Sequence, residues 1–304
     1  MTAEAGVTEA REAAGSGPSY AGQAPPGAAP LGPGGVRLPA SVDGVLCDAA
    51  TATIPLYDDG LLRGDGAFEY VLCYHGRPFT LKEHLDRLER TCGRLRLPCP
   101  RDLLEEDVAR VFAWAGPVTA GLRIVLTRGG RRIVFLERRP AAFDVRLAFV
   151  TDVPRLVLDG SKSLAYAGNM LARRLAEERG FHEALLTTPD GRVMEVQQAS
   201  FFWVTQQGEL CTPPLSEGIL DSITRRVVMT TMDVSERVCR TEDALAAAEA
   251  FLGGAGREVQ PVAAIESTEF AETPGPVTRE VIAGYRRYVE AELGLPPEDL
   301  WGVT

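Results

Sequence analysis

A lysine and a glutamate on neighbouring predicted elements are the residues of this sequence whose types and spacing could do chemistry. Lys162 stands just ahead of an amphipathic helical pattern, and Glu195 follows a hairpin signal inside an otherwise apolar strand. A carboxylate in such a strand is costly to bury unless a cation or a hydrogen-bond donor meets it, so Glu195 either faces water or holds a partner. A lysine forms an imine only when its pKa falls, which burial and a nearby cation bring about.

A protonated pyridine nitrogen is one partner for Glu195, and an aldehyde is what an activated Lys162 attacks. Pyridoxal 5′-phosphate offers both groups, so the pairing suits that cofactor. Its phosphate needs donors, and the helix after the proline-rich loop presents the N–H groups of Ile223 and Thr224. An ordinary capped helix explains these residues as well, and the glycines around Gly254 also suit a plain tight turn.

The first half of the chain must position this pair with strands and helices. One face of the alternating strand over Phe68–Tyr74 must face the interior of the protein or a site. Arg87 lies beside the apolar stripe of the next helix, where a single arginine is by default a solvated charge. The predicted elements are a hairpin turning at Asp43–Gly44, the strand Phe68–Tyr74, a helix with a capping box at Thr80 and Glu83, a helix over Arg101–Trp114, and three strands broken at Gly129–Gly130 and Pro140.

The second half continues the alternation of helices and hairpins. Its first helix is predicted over Asn169–Arg179, with Met170, Leu171 and Leu175 facing inward and Gly180 ending it. The other predicted elements are a hairpin turning at Pro189–Gly191, a helix from about Ser222, a helical run over Glu242–Ala248, two strands joined by a Gly-rich turn, and a final helix over Pro276–Leu293. This mixture predicts an α/β (α+β) fold.

Composition divides the chain into a tail, two domains and a linker. Residues 1–37 are dominated by Ala, Gly, Pro and Ser, and lack the apolar periodicity that would offset their ordering entropy, so we predict a disordered tail. A small N-terminal α/β domain is predicted over residues 38–152, a linker over 153–160, and a larger C-terminal domain over 161–304.

Charge and cysteine content exclude several classes of function. The net charge of −10 and the pI near 5.0 argue against a nucleic-acid partner, which demands clustered basic residues. Six cysteines without a CxxC pair or a histidine at ligand spacing predict reduced thiols and no metal site. No apolar run approaches the ~20 residues of a membrane helix, and the amino terminus shows no signal-peptide pattern. We therefore expect a cytoplasmic protein with a small-molecule partner and no membrane partner.

Several motifs in order resemble the fold-type IV pyridoxal phosphate enzymes, the family of branched-chain and D-amino acid aminotransferases and aminodeoxychorismate lyase. The motifs are GDGAFEY at 64–70, EHLDRL at 83–88, KSLAYAGNMLA at 162–172, EALLTTPDGRVMEV at 183–196, TPPLSEGILDSITR at 212–225 and FLGGAGREVQPV at 251–262. The resemblance covers about residues 42–266. It implies the two-domain fold of that family, a cofactor at the domain interface, and a homodimer.

The resemblance also implies a role for each matched residue. Lys162 would form the internal aldimine and move the proton between the substrate Cα and the cofactor. Glu195 would keep the pyridine nitrogen protonated, so that the ring acts as an electron sink. Arg87 would bind the phosphate. The further cofactor contacts implied at matched positions are Tyr166, Ser200, Ile223, Thr224, Gly254 and Ala255.

Some matched positions differ from the family pattern. Ala165 and Ser200 stand where asparagines are usual, and Val196 stands where a glycine is usual. Gly254, Ala255 and Gly256 replace hydroxyl residues, so side-chain donors to the phosphate are lost, and each lost charge-assisted bond is typically ~1.5–3 kcal/mol. These departures predict a weakened cofactor site.

Substrate choice is predicted on the strand and on the loop after Arg128. Leu72 stands where some relatives carry a cation for a substrate carboxylate, which favours an apolar or aromatic side chain there. The arginines of the loop would supply the carboxylate contact instead, and a solvated hairpin tip explains them equally well. The candidate substrate contacts are Phe68, Tyr70, Leu72, Arg128, Arg131 and Arg132.

Three functions fit these residues. The first is a transaminase that exchanges an amino group between an amino acid and a 2-oxo acid. The second is a lyase of the aminodeoxychorismate type, which releases pyruvate with the same lysine and cofactor. The third is a degenerate member that binds a ligand without turnover. The transaminase is the favoured expectation, with an amino donor and a 2-oxo acid acceptor as its partners.

Overall fold

The computed structural model of the chain describes residues 38–139, 144–151 and 158–301. The predicted tail and most of the predicted linker lie outside these residues, so the predicted domain boundary stays a prediction. Two sheets dominate the described part, and the segment that carries Lys162 lies between them. None of the helices in these three ranges is long and apolar enough to cross a bilayer. The same ranges hold no group of His, Cys, Asp and Glu side chains that could ligate a metal ion.

The first sheet is antiparallel. Its strands are β1 (Pro39–Val42), β2 (Val45–Asp48), β3 (Gly66–Tyr74), β4 (Arg77–Pro78), β5 (Ala120–Thr127) and β6 (Arg132–Glu137). They lie in the order β2-β1-β6-β5-β3-β4, and β3 pairs with β5 along eight residues of each strand. The hairpin predicted at Asp43–Gly44 and the strand predicted over Phe68–Tyr74 are confirmed.

Helices cover one face of this sheet. They are α2 (Leu81–Leu95) and α3 (Arg101–Ala115), whereas the short helix α1 (Asp59–Arg63) buries no side chain. Leu85 and Leu88 of α2 and Val108 of α3 share one apolar cluster with Val71 and Leu122 of the sheet. The capping box predicted for α2 is wrong, because Thr80 takes a left-handed φ of 51° and its hydroxyl donates to the carbonyl of Phe79.

The second sheet is mixed. Its strands are β7 (Val145–Thr151), β8 (Glu183–Thr187), β9 (Arg192–Val196), β10 (Ser200–Val204), β11 (Leu210–Thr212), β12 (Ser235–Glu236), β13 (Cys239–Arg240), β14 (Glu249–Gly254), β15 (Glu258–Ile265) and β16 (Thr268–Glu269). β7 is parallel to β8 and to β15, whereas β8 and β9 form the predicted antiparallel hairpin. Parallel and antiparallel pairs together with the helices confirm the mixed α/β class.

The helices of this half are α4 (Ala167–Glu178), α5 (Ile223–Thr231), α6 (Thr241–Leu245), α7 (Pro276–Leu293) and α8 (Pro297–Trp301). The final predicted helix is confirmed at both ends, with Pro276 as its first residue and Gly294 after its last turn. The sequence predicted α4 and α5 within two residues, predicted a longer α6, and did not predict α8.

The buried face of α4 differs from the prediction. Leu171 and Leu175, predicted to face inward, are 52% and 41% exposed, while Ala172 and Ala176 are buried against Ala184 of β8. Small methyl groups let the helix approach the sheet closely, so packing density outweighs the burial of the larger leucines.

The two sheets meet where the chain leading to α4 pairs with β3. The backbone N–H of Phe68 donates to the carbonyl of Lys162 at 3.0 Å, and that of Leu164 donates to the carbonyl of Gly66 at 2.9 Å. A side chain at Gly66 would lie 2.5 Å from the Leu164 side chain, so glycine is needed for this approach. The pairing fixes Lys162 against the Phe68 face of the first sheet.

Candidate active site

A cavity of about 340 Å³ opens between the two sheets at Lys162. The first sheet supplies one wall from β3 and β5, and the second supplies the other from β9, β10 and the turn between β14 and β15. The predicted residues that line it are Phe68, Tyr70, Arg87, Lys162, Tyr166, Glu195, Ser200, Ile223, Thr224, Gly254 and Ala255. Residues of all six sequence motifs therefore converge on one space.

Lys162 has the environment of an activated amine. Its Nζ lies 4.5 Å from the centre of the Phe68 ring, and its backbone N–H donates to Thr91 Oγ1 at 3.3 Å. Burial and the charge of Arg87 lower the pKa of Lys162 to about 8, although the carboxylates of Glu69 and Glu195 oppose that shift. A larger neutral fraction near neutral pH makes this amine a better nucleophile than an exposed lysine.

Glu195 faces the cavity because of the alternation of β9. Val196, the next residue, points to the other side and is fully buried in the core of the second sheet. The backbone N–H of Leu220 donates to Glu195 Oε1 at 3.1 Å, which orients the carboxylate. Lys162 and Glu195 therefore face one space, as the sequence predicted, and Glu195 takes part in setting the pKa of Lys162.

Arg87 is not a solvated helix charge. Its Nε and Nη2 donate to the two carboxylate oxygens of Glu69 at 2.8 and 2.6 Å, and its Nη1 donates to the carbonyl of Asp221 at 3.1 Å. His84 Nδ1 lies 2.8 Å from the same carboxylate. Burial raises the pKa of Glu69, but Arg87 and His84 outweigh it and bring that pKa to about 2. The pair therefore stabilises the fold above about pH 4.5 and loses this contribution as the pH falls toward 2.

The start of α5 offers backbone donors to the cavity. Ser222 caps the helix by accepting from the N–H of Arg225 at 3.4 Å. In the described part of the chain, the N–H groups of Ile223 and Thr224 have no acceptor, as is usual in a first helical turn. Gly253 brings the Gly-rich turn beside this helix, since a Cβ there would lie 3.4 Å from Thr224 Cγ2. Helix start and turn form a cradle for an anion.

Buried polar atoms without protein partners also lie in the cavity wall. The hydroxyl of Ser200 and both amide atoms of Gln197 are buried and have no partner among the described residues. Tyr166 donates its hydroxyl to the Gln197 carbonyl, and its ring meets Phe68 edge-on at 5.5 Å. Because buried polar groups are nearly always satisfied, these atoms indicate that a bound molecule or water completes the wall.

Four predicted substrate residues do not line this cavity. Leu72 is buried with Tyr74 and Phe79, because β3 continues past the cavity and its far end is covered by α7. Arg128 is held by Asp65 and by two backbone carbonyls, and Arg131 pairs with Asp43. None of these residues lines the cavity, and the same holds for Arg132, which pairs with Asp107, so their role as substrate contacts stays a prediction.

Other charged residues at the site were not predicted from the sequence. Arg123, Glu137 and Arg257 line the cavity, and Glu69 lies behind Arg87. Glu69 and Arg123 each interrupt an apolar strand, which is the signal that singled out Glu195. The same signal, sought in every strand, would have found both, whereas Glu137 ends β6 and Arg257 lies in the turn before β15, so neither carries it.

The chain is similar in sequence to a known protein family. A family model described as Amino-transferase class IV matches residues 66–265. A protein of Methanocaldococcus jannaschii, assigned as a branched-chain-amino-acid aminotransferase, is 32% identical over 253 residues, which are 74% of this chain and 87% of that protein. A D-alanine aminotransferase of Staphylococcus haemolyticus is 26% identical over 277 residues, which are 82% of this chain and 97% of that protein.

A solved structure has the same fold at similar identity. The branched-chain aminotransferase of Thermoproteus uzoniensis, solved with norvaline, matches with a TM-score of 0.76 and 26% identity, and the match covers 84% of this chain and 96% of that one. Residues 66–265, which the family model matches, contain both walls of the cavity. The resemblance seen in the motifs thus extends to the fold over most of the chain.

Proposed function

Since the chain belongs to the class IV aminotransferase family, we propose that its cavity transfers an amino group from an amino acid to a 2-oxo acid. Enzymes of this class work with pyridoxal 5′-phosphate. The observation that carries the proposal is the meeting of Lys162, an amine whose pKa is lowered to about 8, with Glu195 in one cavity.

The residues present fit this cofactor. An aldehyde needs a neutral amine, which Lys162 supplies, and a pyridine nitrogen needs an acceptor, which Glu195 supplies. A phosphate needs positive charge and N–H donors, which Arg87 and the first turn of α5 supply. The side-chain hydroxyls absent from Gly254 and Ala255 are not replaced elsewhere on that turn. The fit therefore rests on Arg87 and on backbone donors, which supports the expectation of weakened cofactor binding.

Each of these residues has a separate role in the proposed reaction. The bound cofactor supplies an electron sink for the pair released at the substrate Cα. Lys162 would remove the proton from that carbon and deliver it to the cofactor, as a neutral amine with a pKa of about 8 is suited to do. Glu195 accepts a hydrogen bond from the ring nitrogen and keeps it protonated. Phe68 and Tyr166 form the wall beside the amine and limit the entry of water.

We propose Arg257 as the contact for the substrate α-carboxylate, in place of the predicted arginine loop. It follows the Gly-rich turn, lines the cavity, and is held by Glu183 and by Gln260 at 3.1 Å. Arg257→Met is expected to raise the KM for amino donors about tenfold or more, because a charge-assisted contact is lost, while the cofactor absorbance stays unchanged. Arg237→Met, which removes an exposed arginine outside the cavity, is the matched control. An unchanged KM in Arg257→Met contradicts this role.

A panel of donors tests the function itself. We expect purified holoenzyme to bleach with one or more D- or L-amino acids, to release the matching 2-oxo acid, and to recover its spectrum when a 2-oxo acid is added. Pyruvate released from aminodeoxychorismate without an acceptor would instead establish the lyase. A protein that cannot be loaded with cofactor would exclude both and leave a binding role.

The lowered pKa of Lys162 predicts a pH dependence of cofactor uptake. Only the neutral amine reacts with the cofactor. The rate of cofactor uptake by apoprotein should therefore rise about tenfold per pH unit up to about pH 8 and then level off. A lysine with the ordinary pKa of 10.5 would keep rising beyond pH 9. Uptake is measured by borohydride fixation and mapping of the Lys162 peptide, in a Lys82→Arg background that leaves no other lysine. A continued rise beyond pH 9 would disprove the activated amine.

We propose that the protein is a homodimer. Around α1, Leu56 and Tyr57 are 74% and 93% exposed, and Leu61 and Leu62 are also exposed, which is an unusual density of apolar side chains for a free surface. A second copy of this chain is the proposed cover. Light scattering after size exclusion should give twice the monomer mass, and Tyr57→Asp should reduce it, whereas Val238→Asp, at an exposed site elsewhere, should not. A monomeric wild type would refute the dimer.

A further inference from the structure

One wall of the cavity carries an ion pair that the proposed reaction does not use. Arg123 of β5 donates through Nε and Nη2 to both carboxylate oxygens of Glu137 on β6, at 3.0 and 2.6 Å. Both side chains line the cavity and are about 30% exposed. The guanidinium also lies over the rings of Phe68 and Tyr70, 5.5 and 5.3 Å from their centres. The guanidinium of Arg123 is therefore held by Glu137, Phe68 and Tyr70.

Tyr70 completes this wall. A Cβ at Gly121, on the adjacent strand, would lie 2.2 Å from the Tyr70 hydroxyl oxygen, so only glycine lets the phenol lie flat there. That hydroxyl is buried and has no partner among the described residues. Burial, with Glu137 nearby, raises the pKa of Tyr70 to about 12, so the phenol keeps its proton and acts as a donor. A buried unpaired donor in a cavity wall indicates an acceptor on a bound molecule.

The hydrogen-bonding capacity left on the wall is mixed. In the described part of the chain, Nη1 of Arg123 donates to no acceptor. Its two N–H groups and the Tyr70 hydroxyl are therefore available as donors to a bound molecule. Each oxygen of Glu137 takes one bond from Arg123 and keeps a second lone pair. The wall thus offers donors and acceptors side by side, with no net charge.

Resting on the proposed amino transfer, we propose that Arg123, Glu137 and Tyr70 form the subsite for the substrate side chain and select a carboxamide over a carboxylate of the same shape. A carboxamide oxygen accepts from Arg123 and Tyr70, while its NH₂ donates to Glu137. A carboxylate at the same place meets the negative charge of Glu137 and has no hydrogen to donate. An ammonium group meets the positive charge of Arg123.

Glutamine and glutamate, each in D and L form, are the matched probes because their side chains have nearly the same shape. Wild-type holoenzyme should show a kcat/KM about tenfold or more higher for glutamine. In Glu137→Gln the charge of Arg123 is no longer neutralised, so the ratio should fall by more than about tenfold, to below one, and favour glutamate. Tyr70→Phe should lower kcat/KM for glutamine more than for glutamate. Glu209→Gln, which breaks an exposed pair with Arg237 outside the cavity, should leave the ratio unchanged.

A second measurement does not depend on the folding of a variant. Glutaramate and glutarate carry the same two groups without an amine, and their binding to wild-type holoenzyme is read from the shift of the cofactor spectrum. Tighter binding of glutaramate supports the subsite, and tighter binding of glutarate overturns it, as does an unchanged ratio in Glu137→Gln. Absence of amino transfer with every donor, with glutaramate still preferred, would instead defeat the proposed function and leave the subsite standing.

Discussion

Lys162→Ala is expected to abolish amino transfer, with a loss of about a thousandfold or more in kcat. The chain holds only two lysines, Lys82 and Lys162, so no second side-chain amine is available to replace it in the cavity. Lys82 lies on the outer face of α2, 75% exposed and paired with Asp86. The variant should also lose the absorbance band near the visible edge that borohydride fixes in the wild type. Turnover assays and absorbance scans measure both effects.

Lys82→Ala is the matched control and should keep both the band and the activity. The Lys162 variant is expected to remain folded, because burial and Arg87 already disfavour the charged amine and its loss relieves repulsion. Thermal unfolding checks this expectation separately from activity. Full activity in Lys162→Ala would discard the assignment of that residue.

Local signals in the sequence are strong enough to predict a helix when residues that favour helix starts and helix ends stand at its two ends. α7 begins with Pro276 and ends before Gly294, and both ends were predicted correctly. α1 could not be predicted in this way, because its five residues bury no side chain and it is held by Asp58, which accepts from Thr127 on a distant strand. The inward face of α4 was missed for a related reason, since the choice between leucines and alanines is made by the sheet beneath the helix.

The residues of the candidate site also differ in whether local sequence or tertiary structure determines their partners. Glu195 was predictable because a charged side chain in an apolar strand needs a partner wherever it folds, whereas Lys162 was singled out by its place in the ordered motifs. The partners of Arg128 and Arg131 could not be predicted, because an arginine's partner is set by tertiary structure, here Asp65 and Asp43. The pairing of Arg123 with Glu137 depends on the register of two antiparallel strands, which alternation alone does not fix.

Glu195→Gln is expected to lower kcat/KM by about a hundredfold or more while the lysine-bound absorbance band remains. A neutral amide cannot hold a proton on the ring nitrogen, so the electron sink weakens although the cofactor is still attached. The substitution also removes a negative charge that raises the pKa of Lys162, so that pKa should fall further below about 8. Cofactor uptake should then level off at a lower pH than in the wild type, and that shift is the signature of direct electrostatic coupling between the two residues.

Two variants separate this effect from simple damage to the hairpin that carries Glu195. Glu195→Asp keeps the charge and should restore part of the activity and of the pH profile. Asp190→Asn, which alters an exposed carboxylate at the turn of the same hairpin, should change neither. If Glu195→Gln lowers activity but leaves the pH profile of uptake unchanged, Glu195 does not act on Lys162 through its charge. If it leaves kcat/KM unchanged, its place at the ring nitrogen is excluded, because a carboxylate in that position is required to keep the nitrogen protonated.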